Sequence, residues 1–146
     1  MPNGKLIDAF KIEREGEAAK FDKKIGNRQL LWHGSRFSNF AGILSQGLRI
    51  APPEAPSTGY LFGKGVYFAD LAQKSAPYCC GYLSNGVILL LLCEVALGKT
   101  HNVPNPTFSD KIPKGTHSTW GMGRQKPDPK SHKTIDGIKV PIGKPI

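Results

Sequence analysis

The stretch Leu30-Leu31-Trp32-His33-Gly34-Ser35-Arg36 carries more information about this chain than any other. A short apolar run ends in a histidine and a glycine, which predicts a buried strand whose end opens toward solvent. A glycine at that position lets a ligand approach the main chain closely. A histidine inside the core beside a turn would produce the same pattern, and for this segment alone that interpretation is preferred.

A second stretch runs Tyr60-Leu61-Phe62-Gly63-Lys64-Gly65-Val66-Tyr67-Phe68-Ala69-Asp70. Aromatic residues flank a glycine-rich bend, which suggests stacking faces beside a pocket. Aromatic core packing is the plainer alternative. The lone Gly63-Lys64-Gly65 lacks the spacing of a Rossmann or P-loop fingerprint.

Composition restricts the protein class. The chain has 146 residues, a net charge of +9 and 39% hydrophobic residues, which predicts one folded domain rather than a disordered tail. Met1 to Lys5 lacks the apolar run of a secretory signal, and Val87 to Cys93 is too short to span a membrane. The three cysteines suggest neither a disulfide framework nor a zinc site, so no metal is expected. A Cys–His nucleophile pair stays open without support.

Periodicity predicts short strands mixed with short helices, hence an α+β domain. Strands are expected at Leu6–Glu13, Leu30–Trp32, Val66–Ala69 and Val87–Leu97, the last buried on both faces. Helices are expected at Ser35–Ser45, followed by Gly47, and from an Asp70 N-cap to about Cys80, with a kink at Pro77. Pro52, Pro53 and Pro56 predict an irregular loop, and the chain after Gly98 is expected to be loop-like until Ile138–Pro141.

The two motifs together resemble the catalytic domain of the poly(ADP-ribose) polymerases, in the diphtheria-toxin-like ADP-ribosyltransferase superfamily. The resemblance begins near Ile7, is dense over Asn27–Tyr78, and continues through Cys93–Gly98, Pro113–Ser118 and Pro127–Pro129. It covers nearly the whole chain and is nearest to the polymer-forming branch that responds to DNA damage. The resemblance implies the ADP-ribosyltransferase fold over residues 1–146, with mostly antiparallel split sheets and short helices, incomplete at both ends.

The resemblance also implies that NAD is the substrate and ADP-ribose donor. His33 then holds a ribose hydroxyl, and the Gly34 backbone and the Ser75 hydroxyl bind the nicotinamide carboxamide. Tyr67 and Tyr78 enclose the nicotinamide ring, and a helix over residues 70–80 would put Ser75 and Tyr78 on one face. The family positions on the adenosine side are Ser35, Asn39, Gly42 and Arg49, and Tyr60 and Lys74 line the same region.

In the family, a triad of His, Tyr and Glu carries the chemistry. His33 and Tyr67 match the first two members, and the glutamate is expected on a strand beyond Ile146. Glu94, the one glutamate after Tyr67, matches a different family position. The resemblance therefore implies a transferase fragment that is inactive alone, without the regulatory helical subdomain or the modules that contact DNA.

Three functions follow from these observations. The first is an NAD-dependent transfer of ADP-ribose to proteins or to growing polymer, with nuclear location and DNA repair implied by the family. The second is a non-catalytic module that binds NAD or nicotinamide. The third is polyanion binding through the basic segment Lys111–Lys144, for which a solvated surface is the simpler explanation. No membrane partner is expected, and the oligomeric state stays open.

Overall fold

The structure is a computed structural model that describes residues 4–51, 60–109 and 111–146. The strands are β1 (Arg28–Gly34), β2 (Leu90–Ala96), β3 (Thr100–Val103), β4 (Ser118–Gly121), β5 (Lys133–Ile135) and β6 (Ile138–Val140). The α-helices are α1 (Glu17–Lys20), α2 (Phe40–Gln46) and α3 (Ala72–Ser75), and short 3-10 turns join several elements. Mixed short helices and strands confirm the predicted α+β class.

The strands form two separate sheets. The larger sheet has the order β2-β1-β6-β5, and the smaller one contains β3 and β4. The longest pairing joins β1 and β2 antiparallel from Arg28 opposite Ala96 to Gly34 opposite Leu90. β5 and β6 are also antiparallel, whereas β1 pairs with β6, and β3 with β4, in parallel. The predicted split of the strands between sheets is confirmed.

Both motif segments meet along β1. The backbone of Trp32 exchanges two hydrogen bonds with Ala69, at 2.7 and 2.8 Å, on the edge away from β2. The predicted strand at Val66–Ala69 is wrong, because this single antiparallel bridge is the only ladder contact that the described residues give the segment. The bridge nevertheless brings the aromatic, glycine-rich segment alongside the His33–Gly34 end of β1.

Helix α2 follows the predicted pattern. Phe40 is buried, and Gly47 ends the helix with a φ of +80°, donating its N–H to the Ile43 carbonyl at 2.7 Å. The predicted range begins too early, because a 3-10 turn over Phe37–Asn39 precedes α2. Arg14 also binds this end of the helix, donating to the carbonyls of Leu44 and Ser45 at 3.0 Å each.

The helix expected from Asp70 to about Cys80 is shorter and begins later. Its N-cap is Leu71, and α3 changes into a 3-10 turn at Ala76, next to Pro77. Proline cannot continue α-helical hydrogen bonding, so the predicted break at Pro77 is confirmed. The Asp70 carboxylate lies 3.4 Å from the Lys74 ammonium instead of capping the helix.

Three further expectations differ from the structure. Residues 4–14 form no strand, and Phe10 is 80% exposed, because no neighbouring strand in the described part of the chain pairs with this segment. The predicted burial of β2 on both faces is wrong, because Leu92 is half exposed and β2 has β1 as its one strand neighbour among the described residues. The region after Gly98 contains β3, β4 and β5 rather than only loops. The proline-rich loop at Pro52, Pro53 and Pro56 lies outside the described residues.

The core is small. Leu31, Phe40, Leu71 and Cys79 are its buried apolar side chains among the described residues, and Ser75 is the buried polar one. The core therefore lies between β1, α2 and the helical segment 72–79, directly behind the end of β1. In the described part of the chain, no helix has the length and apolar character needed to cross a bilayer.

Candidate functional site around the end of the first strand

Gly34 packs directly against the end of α3. A Cβ atom added at Gly34 would overlap the Ser75 carbonyl oxygen and would lie 3.1 Å from the Cys79 sulfur. Any side chain at this position would therefore push α3 away from β1. The absent side chain brings two chain segments, 41 residues apart in sequence, into backbone contact.

The backbone N–H and C=O groups of successive residues in β1 point to alternate edges of the strand, and this sets the direction of the Gly34 groups. The N–H and C=O groups of Trp32 bond to Ala69, so they point away from β2. Residues two apart in a strand direct these groups to the same edge. The N–H and C=O groups of Gly34 therefore also point away from β2, toward the side where α3 packs.

Ser75 is the buried hydroxyl of this region, with 4% of its surface exposed. Its Oγ donates a hydrogen bond to the Trp32 carbonyl oxygen at 3.0 Å. Because the hydroxyl oxygen still has acceptor capacity, Ser75 can accept a bond from a second group. Tyr78 lies three residues further along, in the 3-10 turn, and 65% of its surface is exposed. Ser75 and Tyr78 thus differ sharply in exposure.

His33 and Tyr67 are held together by the main chain. The His33 Nδ1 atom lies 2.8 Å from the Tyr67 carbonyl oxygen, so in the tautomer that forms this bond Nδ1 carries the proton. The Nε2 atom then remains as the acceptor. The Phe68 ring lies 5.7 Å from the imidazole, centroid to centroid. These contacts fix the imidazole plane at the end of β1.

The Tyr67 side chain closes the glycine-rich bend. Its hydroxyl donates to the Gly63 carbonyl at 2.6 Å and accepts from the Phe62 N–H at 3.0 Å. The Tyr60 ring lies 5.9 Å from the Tyr67 ring at an angle of 43°. The sequence pattern pointed to Tyr60 and Tyr67, but the part played by Phe62 and Gly63 appears only in the folded chain.

The remaining predicted site residues lie near α2, except for Lys74 in α3. Asn39 donates to the Ser35 hydroxyl at 3.0 Å, so these two lie together before α2. Gly42 lies in α2, and a Cβ added there would meet nothing within 4 Å. Arg49 is exposed beyond α2 and donates to the Gln46 side chain at 2.5 Å. Lys74 points elsewhere, donating to the Gln125 carbonyl at 2.8 Å.

The Cys79 and Cys93 thiols do not have the properties of nucleophiles, and the described residues form no metal centre. Burial raises the pKa of the Cys79 thiol, whose sulfur donates to the Leu89 carbonyl at 3.2 Å. Burial, with a smaller contribution from the Glu17 charge, raises the pKa of Cys93 to about 11. Thiols with raised pKa values are poor nucleophiles at neutral pH. Within residues 4–51, 60–109 and 111–146, no three His, Cys, Asp or Glu side chains are grouped for a metal ion.

Glu94 has a structural partner. Its carboxylate lies 2.6 Å from Arg28 Nη1, and Arg28 Nη2 donates to the Asp136 carbonyl at 2.9 Å. The guanidinium therefore links β2 to the β5–β6 turn across β1. This ion pair accounts for Glu94 without a role at the end of β1.

Comparisons of the sequence with known proteins point to one family. The family described as "Poly(ADP-ribose) polymerase catalytic domain" matches residues 2–146. Poly [ADP-ribose] polymerase 1 of Gallus gallus is 56% identical over 144 residues, which are 97% of this chain and 14% of that protein. Poly [ADP-ribose] polymerase of Drosophila melanogaster is 54% identical over 97% of this chain and 15% of its own length. Poly [ADP-ribose] polymerase 2-A of Oryza sativa subsp. japonica is 54% identical over 96% of this chain and 22% of its own length.

This chain spans about a seventh to a fifth of the length of these relatives. The matched segment contains both motifs and every strand that surrounds the end of β1. The chain belongs to the family of poly(ADP-ribose) polymerase catalytic domains.

Proposed function

We propose that this chain binds the nicotinamide end of NAD at the end of β1, as part of an ADP-ribosyltransferase domain that includes residues 1–146. The observation that carries the proposal is the orientation of the Gly34 backbone. Its N–H and C=O groups point to the edge where the Trp32–Ala69 bridge ends, beside the buried Ser75 hydroxyl.

A carboxamide suits these three groups. An amide has a donor side and an acceptor side in one plane, and a backbone N–H and C=O from one residue are complementary to both. The Ser75 hydroxyl adds a further bond to the amide oxygen or nitrogen. Because a Cβ at position 34 would collide with Ser75, the close approach of these groups depends on glycine.

The contacts to the nicotinamide ring and the ribose belong to the same proposal. In this proposal the Tyr67 and Tyr78 rings enclose the nicotinamide ring, which stacking stabilises by about 0.5–1.5 kcal/mol beyond burial. His33 Nε2 faces a ribose hydroxyl, since Nδ1 is already bonded to the Tyr67 carbonyl. The proposed adenosine side comprises Ser35, Asn39, Gly42 and Arg49, and Tyr60 and Lys74 line the region between.

In the longer protein, the proposed reaction breaks the bond between nicotinamide and ribose through an oxocarbenium-like state. The electron pair of that bond leaves with nicotinamide, and a protein side chain or the end of a growing poly(ADP-ribose) chain attacks the anomeric carbon. Positioning the sugar and holding the leaving group lower the barrier. Nuclear location, a role in DNA repair and contact with DNA through other modules belong to the same proposal.

A second function is also favoured by one observation. Glu94 is the one glutamate that follows Tyr67 in this chain, and Arg28 holds its carboxylate at 2.6 Å. Among the described residues, the groups at the end of β1 are suited to binding a ligand, whereas the Glu94 carboxylate is paired with Arg28 and is not placed to act as a general base there. We accordingly propose, as the alternative, that the 146-residue chain by itself binds NAD or nicotinamide without turning NAD over.

Calorimetric titration of benzamide, a simple mimic of nicotinamide, tests the common part of both proposals. We expect binding by the 146-residue chain, strong weakening by Ser75→Ala, and no change with Ser38→Ala, which removes the same hydroxyl from an exposed position. Wild-type chain that is folded but does not bind benzamide would refute both functions. Release of nicotinamide from NAD then separates the two, because turnover contradicts the non-catalytic alternative.

A further inference from the structure

Phe62 connects the candidate site to the small β3–β4 sheet. A Cβ added at Gly121, at the end of β4, would overlap the Phe62 ring and would lie 2.5 Å from its Cε2 atom. The tip of this ring is therefore seated on bare backbone. The same ring lines a cavity of about 460 Å³ together with β3 residues His101 and Val103.

Gly121, on which the Phe62 ring packs, is held in place by backbone hydrogen bonds between β3 and β4. β4 pairs with β3 in parallel, with Gly121 opposite Val103, and the next residue, Met122, donates its N–H to the Val103 carbonyl at 2.8 Å. The Gly121 backbone cannot shift without disturbing this sheet. Phe62 therefore packs against a fixed surface rather than a free loop.

The main chain of Phe62 is hydrogen-bonded to Tyr67, whereas its ring contacts Gly121. Its N–H donates to the Tyr67 hydroxyl at 3.0 Å, and that hydroxyl donates to the Gly63 carbonyl at 2.6 Å. Gly63 has a φ of +95°, a conformation that residues with a side chain rarely adopt. The bend between residues 62 and 67 is thus closed by one hydroxyl and anchored by one ring.

We propose that Phe62 is a positioning residue for the Tyr67 ring. Packing of Phe62 on Gly121 holds the bend, the bend holds the Tyr67 hydroxyl, and the Tyr67 carbonyl holds His33 at 2.8 Å. Tyr67 is then fixed at both its hydroxyl and its main chain. The proposal rests on the proposed function in one respect, namely that the Tyr67 ring stacks on nicotinamide.

Phe62→Ala in the 146-residue chain tests the proposal with two readouts. We expect benzamide affinity to fall by about threefold to tenfold, the range of a lost stacking contact. We also expect the amide proton of residue 62 to exchange with solvent at least tenfold faster, because its acceptor is no longer held. Phe62→Leu, which still reaches Gly121, should restore most of both properties.

Phe108→Ala is the matched control, because it removes the same ring from a position that is 60% exposed. Should Phe62→Ala not fold, Gly121→Ala perturbs the same contact from the opposite side and is read in the same way. A merely structural role would lower the melting temperature and leave the benzamide affinity of the folded chain unchanged, which would overturn the proposal.

The two readouts separate this proposal from the proposed function. Unchanged exchange at residue 62 overturns the positioning role whatever the wild-type chain binds. Fast exchange in Phe62→Ala, together with wild-type chain that does not bind benzamide, refutes the proposed function and leaves the anchoring of the bend supported.

Discussion

Gly34→Ala is the sharpest test of the geometry at the end of β1. The added Cβ would overlap the Ser75 carbonyl oxygen, would lie 2.9 Å from the Ser75 carbonyl carbon, and would lie 3.1 Å from the Cys79 sulfur. Two of these three atoms belong to the backbone of α3, so rotation of a side chain cannot relieve the overlap. The methyl group must therefore push α3 away from β1.

Overpacking of this kind costs about 1–3 kcal/mol of folding free energy. For a domain of this size, each kcal/mol lowers the melting temperature by about 2–4 °C, which predicts a decrease of about 4–8 °C for a cost near 2 kcal/mol. Benzamide affinity should fall by more than about tenfold, because Ser75 moves relative to the Gly34 backbone.

Thermal unfolding followed by fluorescence and calorimetric titration of benzamide measure the two effects. Gly42→Ala serves as the control for stability, since its Cβ would meet nothing within 4 Å and its helical position favours alanine. It should unfold at the same or a slightly higher temperature. A Gly34→Ala chain with wild-type melting temperature and wild-type benzamide affinity would refute the steric argument.

Three other predictions follow from single contacts. Arg28→Met should lower the free energy of unfolding by about 1–3 kcal/mol in urea titrations, because it leaves the partly buried Glu94 carboxylate without its partner. Lys11→Met is the control, since it removes a cation from an exposed ion pair and should leave the urea midpoint unchanged. Arg14→Ala should lower stability by about 1–2 kcal/mol through its lost bonds to the end of α2, and unchanged urea midpoints would contradict this. Burial raises the pKa of Cys93 in the folded chain to about 11, against an ordinary value of 9.0, so between these values the native state keeps a proton that the unfolded state loses. The free energy of unfolding should therefore fall as the pH rises from about 9 to 11, and Cys93→Ala should lack this decrease.

The local motifs predicted several elements correctly because each depends on neighbouring residues. The apolar run at Leu30–Trp32 identified β1, and the spacing of Phe40 and Ile43 before Gly47 identified α2. Pro77 predicted the break after α3, since a proline removes a backbone donor wherever it occurs. The family resemblance, which the comparisons confirm, likewise rests on contiguous motifs.

Pairing between distant segments was beyond local reasoning. The apolar pattern of Leu6–Glu13 predicted a strand, but a strand forms only beside a partner, and none in the described ranges lies next to it. β3 and β4 were not predicted because each is four residues long and pairs with the other across 14 intervening residues. Aspartate is a residue type that often caps helices, but the Asp70 carboxylate lies beside the Lys74 ammonium and does not cap α3.

The sequence by itself determined the family, because the motifs that carry the resemblance are short contiguous segments, and the resemblance in turn named the candidate site residues. Only the tertiary structure decided how those residues meet. The bridge between Trp32 and Ala69 sets the direction of the Gly34 backbone, and contact with Ser75 explains why position 34 lacks a side chain. The seat of Phe62 on Gly121 likewise joins residues 59 positions apart, and such contacts arise only when the chain packs.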